Sequence, residues 1–151
     1  MSDHPIRRAA EKDIPAIQRL IQSLSHCYLS SPRDELPNWF AATLSEEALQ
    51  LRLSSGEFLH LVALSFTGDL VGYLAMNQSH VYHLFVDAGY QQQGIARQLW
   101  QSAMAQTDYQ TFTVRASLNA VPVYEAFGFT CSAPQSERDG IAYQPMALGE
   151  G

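Results

Sequence analysis

Apolar positions in the first third of the chain recur with the period of an amphipathic helix. After Asp13, a candidate N-cap, the apolar residues at helical spacing are Ile14, Ile17, Leu20, Ile21 and Leu24. The polar stretch 30–34, which contains a proline, interrupts this helix. A second helix is predicted to begin at Ser45, where two glutamates favour the positive end, and to run to Gly56.

The pattern then changes to that of β-strands. Residues 58–66 and 70–76 flank the turn 67–69 and predict a hairpin. Both faces of the first of these strands are largely apolar, which predicts a central strand covered on both sides. Further strands are predicted at 5–10, 79–86, 109–116 and 141–148, and further helices at 95–104 and 120–127. This order indicates an α/β fold (α+β, with a mixed sheet) flanked by helices.

Length and composition restrict the class of protein. The 151 residues, 46% hydrophobic and 16% charged, suit one folded domain over 1–151. No apolar stretch is long enough to cross a bilayer and the N-terminus lacks the features of a signal peptide, so we expect a cytoplasmic protein without a membrane partner. The net charge of −6 argues against nucleic-acid binding and mildly favours a cationic amine as substrate. Cys27 and Cys131 form no chelating motif and are predicted to be buried, reduced thiols.

The clearest chemical signal is a strand that ends near Val86 and leads through a turn into a helix beginning Gly94-Ile95-Ala96. Small side chains there let a ligand approach the backbone, and the first helical turn has unpaired N–H groups. These donors and the helix dipole predict an anion site suited to a pyrophosphate. The alternative is that Gly94 only eases a tight turn. No G-x-G-x-x-G follows a strand and no Gly-Lys-Ser/Thr occurs, which argues against dinucleotide-binding and P-loop sites.

Two motifs in this region resemble those of the GNAT superfamily of N-acetyltransferases. Residues 91–96, Gln-Gln-Gln-Gly-Ile-Ala, are similar to the family's Q/R-x-x-G-x-G/A motif. Residues 120–129, Ala-Val-Pro-Val-Tyr-Glu-Ala-Phe-Gly-Phe, resemble its A-x-x-x-Y-x-x-x-G-F segment. The resemblance implies about seven strands flanked by four helices, with a V-shaped splay between strands 4 and 5 that holds acetyl-CoA as co-substrate.

The resemblance also assigns residues to the co-substrate. Those expected to bind it are Leu84, Phe85, Val86, Gln91, Gln92, Gln93, Gly94, Ile95, Ala96, Arg97, Ser117 and Asn119. Backbone amides at 93–96 would hold the pyrophosphate, with Arg97 as the nearest fixed cation. The strand residues would pair with pantetheine and polarise the thioester carbonyl. Ser117 stands where many members carry Asn; Asn119 either compensates for that change or caps the short helix that follows. Arg115 stands where a similar subgroup carries Asn.

Catalytic roles follow from the same resemblance. Tyr124 matches the tyrosine that protonates the departing thiolate; its alternative role is packing. His80 stands where members often carry Glu as a base, with His83 and Glu35 as other candidates, and either histidine could instead be a hydrogen-bonded strand residue. Because strand side chains alternate, His80 and His83 are expected on opposite faces, and no metal is expected. The acceptor would lie near Glu35 and Trp39, the latter equally a core candidate.

The predicted function is an N-acetyltransferase acting on a primary amine of a small molecule or peptide. Direct attack in a ternary complex is expected, because neither cysteine occupies a recognisable activated setting. The alternative is a non-catalytic acyl-CoA-binding sensor or interaction module on the same fold, which Arg115 and the missing glutamate at position 80 keep open. The chain is also a candidate to form a homodimer.

Overall fold

The structure, a computed structural model, describes residues 4–24, 38–138 and 141–149, with the backbone alone at 38–40. The expectations for Cys27 and Glu35 lie outside the described residues, as does the side chain of Trp39. The α-helices are α1 (Ile14–Ser23), α2 (Asn38–Thr43), α3 (Glu46–Ser54), α4 (Ile95–Ala105) and α5 (Val121–Phe127). The strands are β1 (Ile6–Arg8), β2 (Phe58–Leu64), β3 (Leu70–Asn77), β4 (His80–Val86), β5 (Phe112–Ser117), β6 (Thr130–Cys131), β7 (Ser136–Arg138) and β8 (Ile141–Leu148).

These strands form one mixed sheet in the order β1-β2-β3-β4-β5-β8-β6, with β7 paired to β8. Every pairing is antiparallel except that of β4 with β5, which is parallel. The α/β fold class and its mixed sheet are therefore confirmed. The described residues contain eight strands and five α-helices rather than about seven and four, because α2, β6 and β7 are too short to show a period in the sequence.

Two apolar clusters cover the two faces of this sheet. One cluster joins α4 and α5 to the sheet and includes Leu61, Leu99 and Tyr124. The other joins α1 and α3 to the opposite face and includes Ile17 and Val62. Adjacent residues of β2 thus bury their side chains on opposite sides, which confirms that it is an interior strand covered on both faces.

The sheet opens where its parallel pairing ends. Only two register pairs join β4 to β5, His80 with Thr113 and Val81 with Val114, and beyond them the strands separate. Among the described residues, the remainder of β4 has register partners on β3 alone, since its pairing with β5 ends at Val81. This agrees with the expected splay between strands 4 and 5.

A β-bulge in β4 overturns one expectation about its side chains. The register with β3 pairs Met76 with Val81 but Ala75 with His83, so Tyr82 is the extra residue. His80 pairs with Asn77, two residues from Ala75 and on the same face of β3. His80 and His83 therefore face the same side of the sheet, and the expectation of opposite faces is wrong because simple alternation ignores the bulge.

Two further details differ from expectation. Asp13 occupies the N-cap of α1, but its carboxylate does not cap that helix. It accepts from the Arg7 guanidinium at 2.8 and 2.9 Å and from the Ala10 N–H at 2.7 Å, which ties β1 to α1. Cys131 is exposed on β6 rather than buried, since this two-residue strand lies at the sheet edge. In the described ranges, no helix has the length and apolarity needed to span a membrane.

Candidate active site

A cavity of about 560 Å³ opens where β4 and β5 separate. Its lining comes from the last residue of α2, from β4, β5, β7 and β8, and from the N-terminal half of α5 with the residue before it. The lining residues are Thr43, His80, Val81, Tyr82, His83, Leu84, Phe85, Val114, Arg115, Ser117, Ala120, Tyr124, Arg138, Ile141, Ala142 and Tyr143. Its volume is in the range typical of small-molecule sites. The cavity thus brings the predicted Tyr124, His80, His83 and Ser117 together.

The segment between β4 and α4 has the backbone geometry of an anion site. Gly94 is the N-cap of α4 with φ +83°, and Gln92 has φ +63°. No side chain caps α4, so the N–H groups of its first turn can serve a ligand at the positive end of the helix. A Cβ built on Gly94 meets no atom within 4 Å, which shows open space beside this residue. The loop therefore fits an anionic group such as a pyrophosphate.

The same loop is held to β4 by its own side chains. The Gln91 amide donates to the Val86 carbonyl at 3.1 Å. The Asp87 carboxylate accepts the Gly89 N–H at 2.9 Å. Arg97, expected to be the nearest cation, has its guanidinium carbon 5.9 Å from the centre of the Phe127 ring. Because Arg97 stacks on Phe127, the positive character offered to an anion here rests mainly on the backbone N–H groups at the start of α4.

Tyr124 lies at the inner wall of the cavity. It is buried at 4% exposure, and its ring makes edge contacts with Phe127 and Phe129 at 6.1 and 5.5 Å between centroids. Burial raises the pKa of its hydroxyl well above the ordinary value of a phenol. Tyr124 is therefore a protonated group with a packed ring at the cavity, which suits both of the roles considered for it.

The two histidines of β4 have different surroundings. His80 is half-buried, and its Nδ1 lies 2.8 Å from the Thr113 hydroxyl. Burial, and then the positive charge of Arg115, lower the pKa of His80. Its Nε2 has no hydrogen bond to the described part of the chain, so this nitrogen is available to a ligand.

His83 is enclosed by aromatic rings on the same face. Its ring lies 4.5 Å from that of Tyr82, 5.6 Å from Phe85 and 6.1 Å from Tyr73. Burial, with smaller effects from Arg52 and His60, lowers the pKa of His83 to about 3. An imidazole in this setting stays neutral and is a weak base.

Other predicted residues are near the cavity without lining it. Asn119 lies inside a short 3₁₀ helix, Leu118–Ala120, and the N-cap of α5 is Ala120. The prediction that Asn119 caps α5 is therefore wrong, since the 3₁₀ turn moves the cap one residue along.

Among the described residues, no group of three His, Cys, Asp or Glu side chains could hold one metal ion.

Reasoning from the sequence missed one wall of the cavity. Arg138 of β7 and Tyr143 of β8 line it, as do Ile141 and Ala142. Arg115, which the sequence comparison singles out because a similar subgroup carries Asn there, has its guanidinium carbon 5.4 Å from the centre of the Tyr143 ring. The position of β8 beside β5 brings these residues in, and a local motif cannot report such a long-range pairing.

Comparison with known proteins adds to this picture. A family model described as an acetyltransferase (GNAT) domain matches residues 28–149. No curated protein sequence gives a significant match.

Solved structures similar to this chain share its fold at low sequence identity. A GCN5-related N-acetyltransferase from Rhodopseudomonas palustris is 20% identical, with a TM-score of 0.78 over 99% of this chain and 98% of that chain. The PaiA N-acetyltransferase from Thermoplasma acidophilum, in complex with coenzyme A, is 16% identical, with 0.75 over 99% and 100%. A phosphinothricin acetyltransferase from Sinorhizobium meliloti, in complex with AcCoA, is 17% identical, with 0.73 over 99% and 91%.

Proposed function

Because this chain belongs to the GNAT acetyltransferase family and is thus an acetyl-CoA-dependent acetyltransferase, we propose that it acetylates a primary amine by direct attack in a ternary complex. One observation carries the proposal. Tyr124 and His80 line a single cavity but belong to opposite faces of the sheet. A proton donor and a proton acceptor on either side of the reacting centre are what direct aminolysis of a thioester requires.

Acetyl-CoA supplies the acetyl group as an activated thioester. In the proposed arrangement the amides of Gln93, Gly94, Ile95 and Ala96 bind its pyrophosphate, with Gln91 and Gln92 forming the loop. Leu84, Phe85 and Val86 offer backbone groups on the side of β4 that β5 has left. One of their N–H groups polarises the thioester carbonyl. Ser117, Asn119 and Arg97 are proposed as further contacts of acetyl-CoA.

Tyr124 is proposed as the proton donor to the departing thiolate. Its hydroxyl stays protonated across the working pH range, because burial raises its pKa. A thiol has a pKa of about 8.5, so the thiolate is a tolerable leaving group and needs only modest assistance. The packed ring keeps the hydroxyl directed at one place in the cavity, and this positioning is the main contribution we assign to the rest of α5.

His80 is the better supported of the two histidines as the base. It is half-buried, lines the cavity and has Nδ1 oriented by Thr113, so Nε2 can take a proton from the amine directly or through water. His83 is enclosed, and its low pKa makes it a poor acceptor. We therefore assign His83 to the wall of the cavity. Glu35 and Trp39 stay as proposed contacts of the acceptor.

Replacement of Tyr124 by Phe tests this proposal. The change keeps the ring contacts and removes only the hydroxyl, so we expect turnover to fall by about tenfold to several-hundredfold while acetyl-CoA affinity is preserved. Initial rates and calorimetric binding measure the two quantities. The matched control is Tyr109→Phe, which removes a hydroxyl from an exposed tyrosine outside the cavity and should change neither. Normal turnover in Tyr124→Phe would contradict the role of Tyr124 as proton donor and leave it with a packing role only.

A further inference from the structure

The cavity has a local charge opposite in sign to that of the whole chain. Its described lining contains two arginines, Arg115 and Arg138, and no aspartate or glutamate. The chain as a whole has a net charge of −6. The cavity histidines leave this sign unchanged, because burial lowers the pKa of both and keeps them neutral at pH 7. The described wall is therefore electropositive, and such a wall attracts anions rather than cations.

Sheet register places these charges on one face. On β5, Arg115 alternates with the buried Val114 and Ala116, so it lies on the same face as Thr113, the partner of His80. Ser117 on that face pairs with Tyr143 of β8, which in turn pairs with Ser136 of β7.

The second arginine follows from the same pairing. Arg138 is two residues from Ser136 and pairs with Ile141, whose side chain packs on the cluster of α1 and α3. The two arginines and His80 thus share the face of the sheet on which α1 and α3 pack.

Arg115 is presented in a way that suits an oxyanion. Its side chain is exposed in the cavity, and the Tyr143 ring lies beside the guanidinium. Within the part of the chain that the structure describes, it has no ion pair or hydrogen bond. A guanidinium stacked on an aromatic face keeps its edge N–H groups for two parallel hydrogen bonds to a carboxylate or phosphate-like group.

The position of Arg115 favours the acceptor over the phosphates of the co-substrate. The proposed pyrophosphate loop follows Val86, which lies opposite Gly72 of β3, five residues from the partner of His80, and is therefore about 17 Å from His80 at ~3.4 Å per residue. Arg115 is two residues along β5 from the partner of His80. Its charge therefore lies at the end of the cavity where the amine must meet its base.

We infer that the acceptor amine carries an anionic group, a carboxylate or a phosphate-like group, which Arg115 binds. The inference rests on the proposed amine acetylation and names the substrate class of that site. The anion fixes the acceptor to β5, and its amino group then reaches His80 and the acetyl group. A polyamine would instead bring positive charge to an electropositive wall.

Acceptors in matched pairs test this inference. The pairs are β-alanine with ethylamine, 4-aminobutyrate with propylamine and L-alanine with L-alaninamide; 2-aminoethylphosphonate serves as the phosphate-like arm and putrescine as the cationic arm. We expect kcat/KM to be at least about tenfold higher for the anionic member of a pair that fits the cavity. Arg115→Gln should bring that ratio close to one, and Arg115→Lys should retain part of it, because charge remains while the planar fork is lost.

Arg8→Gln is the control, since Arg8 lies exposed on β1 and bonds to Gln106; it should leave the ratio unchanged. A preference for the neutral or cationic amines, or a ratio that Arg115→Gln does not alter, would overturn the inference while leaving amine acetylation intact. A rise in the KM for acetyl-CoA in Arg115→Gln, without a change in the ratio, would assign the arginine to the co-substrate and also overturn it. Failure to acetylate any amine would instead contradict the proposed function, and this inference with it.

Discussion

At the scale of single residues, Gly94 shows how backbone geometry and ligand access combine. Its φ of +83° lies in the left-handed region, which side chains rarely adopt, and the space around its Cβ position is open. The residue is therefore required first by the turn, whereas sequence reasoning emphasised the space that a phosphate needs. The backbone conformation of the turn and the space for a phosphate are both required at Gly94. A second glycine with the same conformation but no proposed ligand nearby can separate the two effects.

Gly68 provides that match, because it has φ +94° and equally open surroundings in the hairpin turn between β2 and β3. We expect Gly94→Ala and Gly68→Ala each to lower the free energy of unfolding by about 1 kcal/mol through the same backbone strain. Only Gly94→Ala should also weaken acetyl-CoA binding, by about tenfold or more, which is about 1.4 kcal/mol. Urea denaturation and calorimetry measure the two effects. Equal affinities in the two variants would remove the phosphate role of the loop.

His83 gives a pH-dependent prediction. Its pKa is about 3 in the fold and about 6.5 in an unfolded chain, so between these values the unfolded state binds a proton that the folded state does not. The free energy of unfolding should therefore decrease as the pH falls through this window, by about 1.4 kcal/mol per pH unit from this residue.

His83→Gln should flatten that decrease when unfolding is measured in urea between pH 7 and pH 5. The histidine also has a direct readout, because its imidazole resonances should show a neutral ring throughout this range. A ring that protonates near pH 6 would contradict the enclosed environment, and with it the preference for His80 as the base.

At the scale of elements, the start of α4 should be more sensitive to bulk than its end. Ala96 is half-buried in the first turn of α4, where the proposed pyrophosphate approaches the backbone. We expect Ala96→Leu to raise the KM for acetyl-CoA several-fold and to leave that for the amine nearly unchanged. Ala105→Leu, at the exposed opposite end of the helix, is the control and should alter neither. An equal rise in both constants for Ala96→Leu would indicate a general packing defect.

Elements with a clear period could be predicted, whereas their irregularities could not. The apolar period placed α1 and α4, the N-cap signal at Ser45 placed α3 and the continuous apolar run placed β2, all close to their observed bounds. The bulge at Tyr82 left no trace in that period, because it depends on how β4 pairs with β3. The same applies to β6 and β7, which are strands only because β8 lies beside them.

At the scale of the whole molecule, net charge does not report the charge of the cavity lining. A total of −6 favours a cationic substrate, whereas the described lining has two arginines and no acid. The motifs at 91–96 and 120–129 located the loop and Tyr124, since both are local in sequence. Arg138 and Tyr143 could not be recognised, because they reach the cavity only through the pairing of β5, β7 and β8. Local motifs could therefore be recognised in the sequence, whereas the part of the cavity lining that depends on long-range strand pairing could not.

The central claim is that the acetyl group passes directly from acetyl-CoA to an amine in this cavity. The most direct measurement is a single-turnover experiment with isotopically labelled acetyl-CoA and enzyme in excess, first without an amine and then with an acceptor that the protein acetylates. We predict no label on the protein in the first stage, and in the second stage labelled amine in amounts equal to the CoA released. Label on the exposed Cys131 or another side chain before the amine is added, or bound acetyl-CoA that no amine consumes, would contradict the claim.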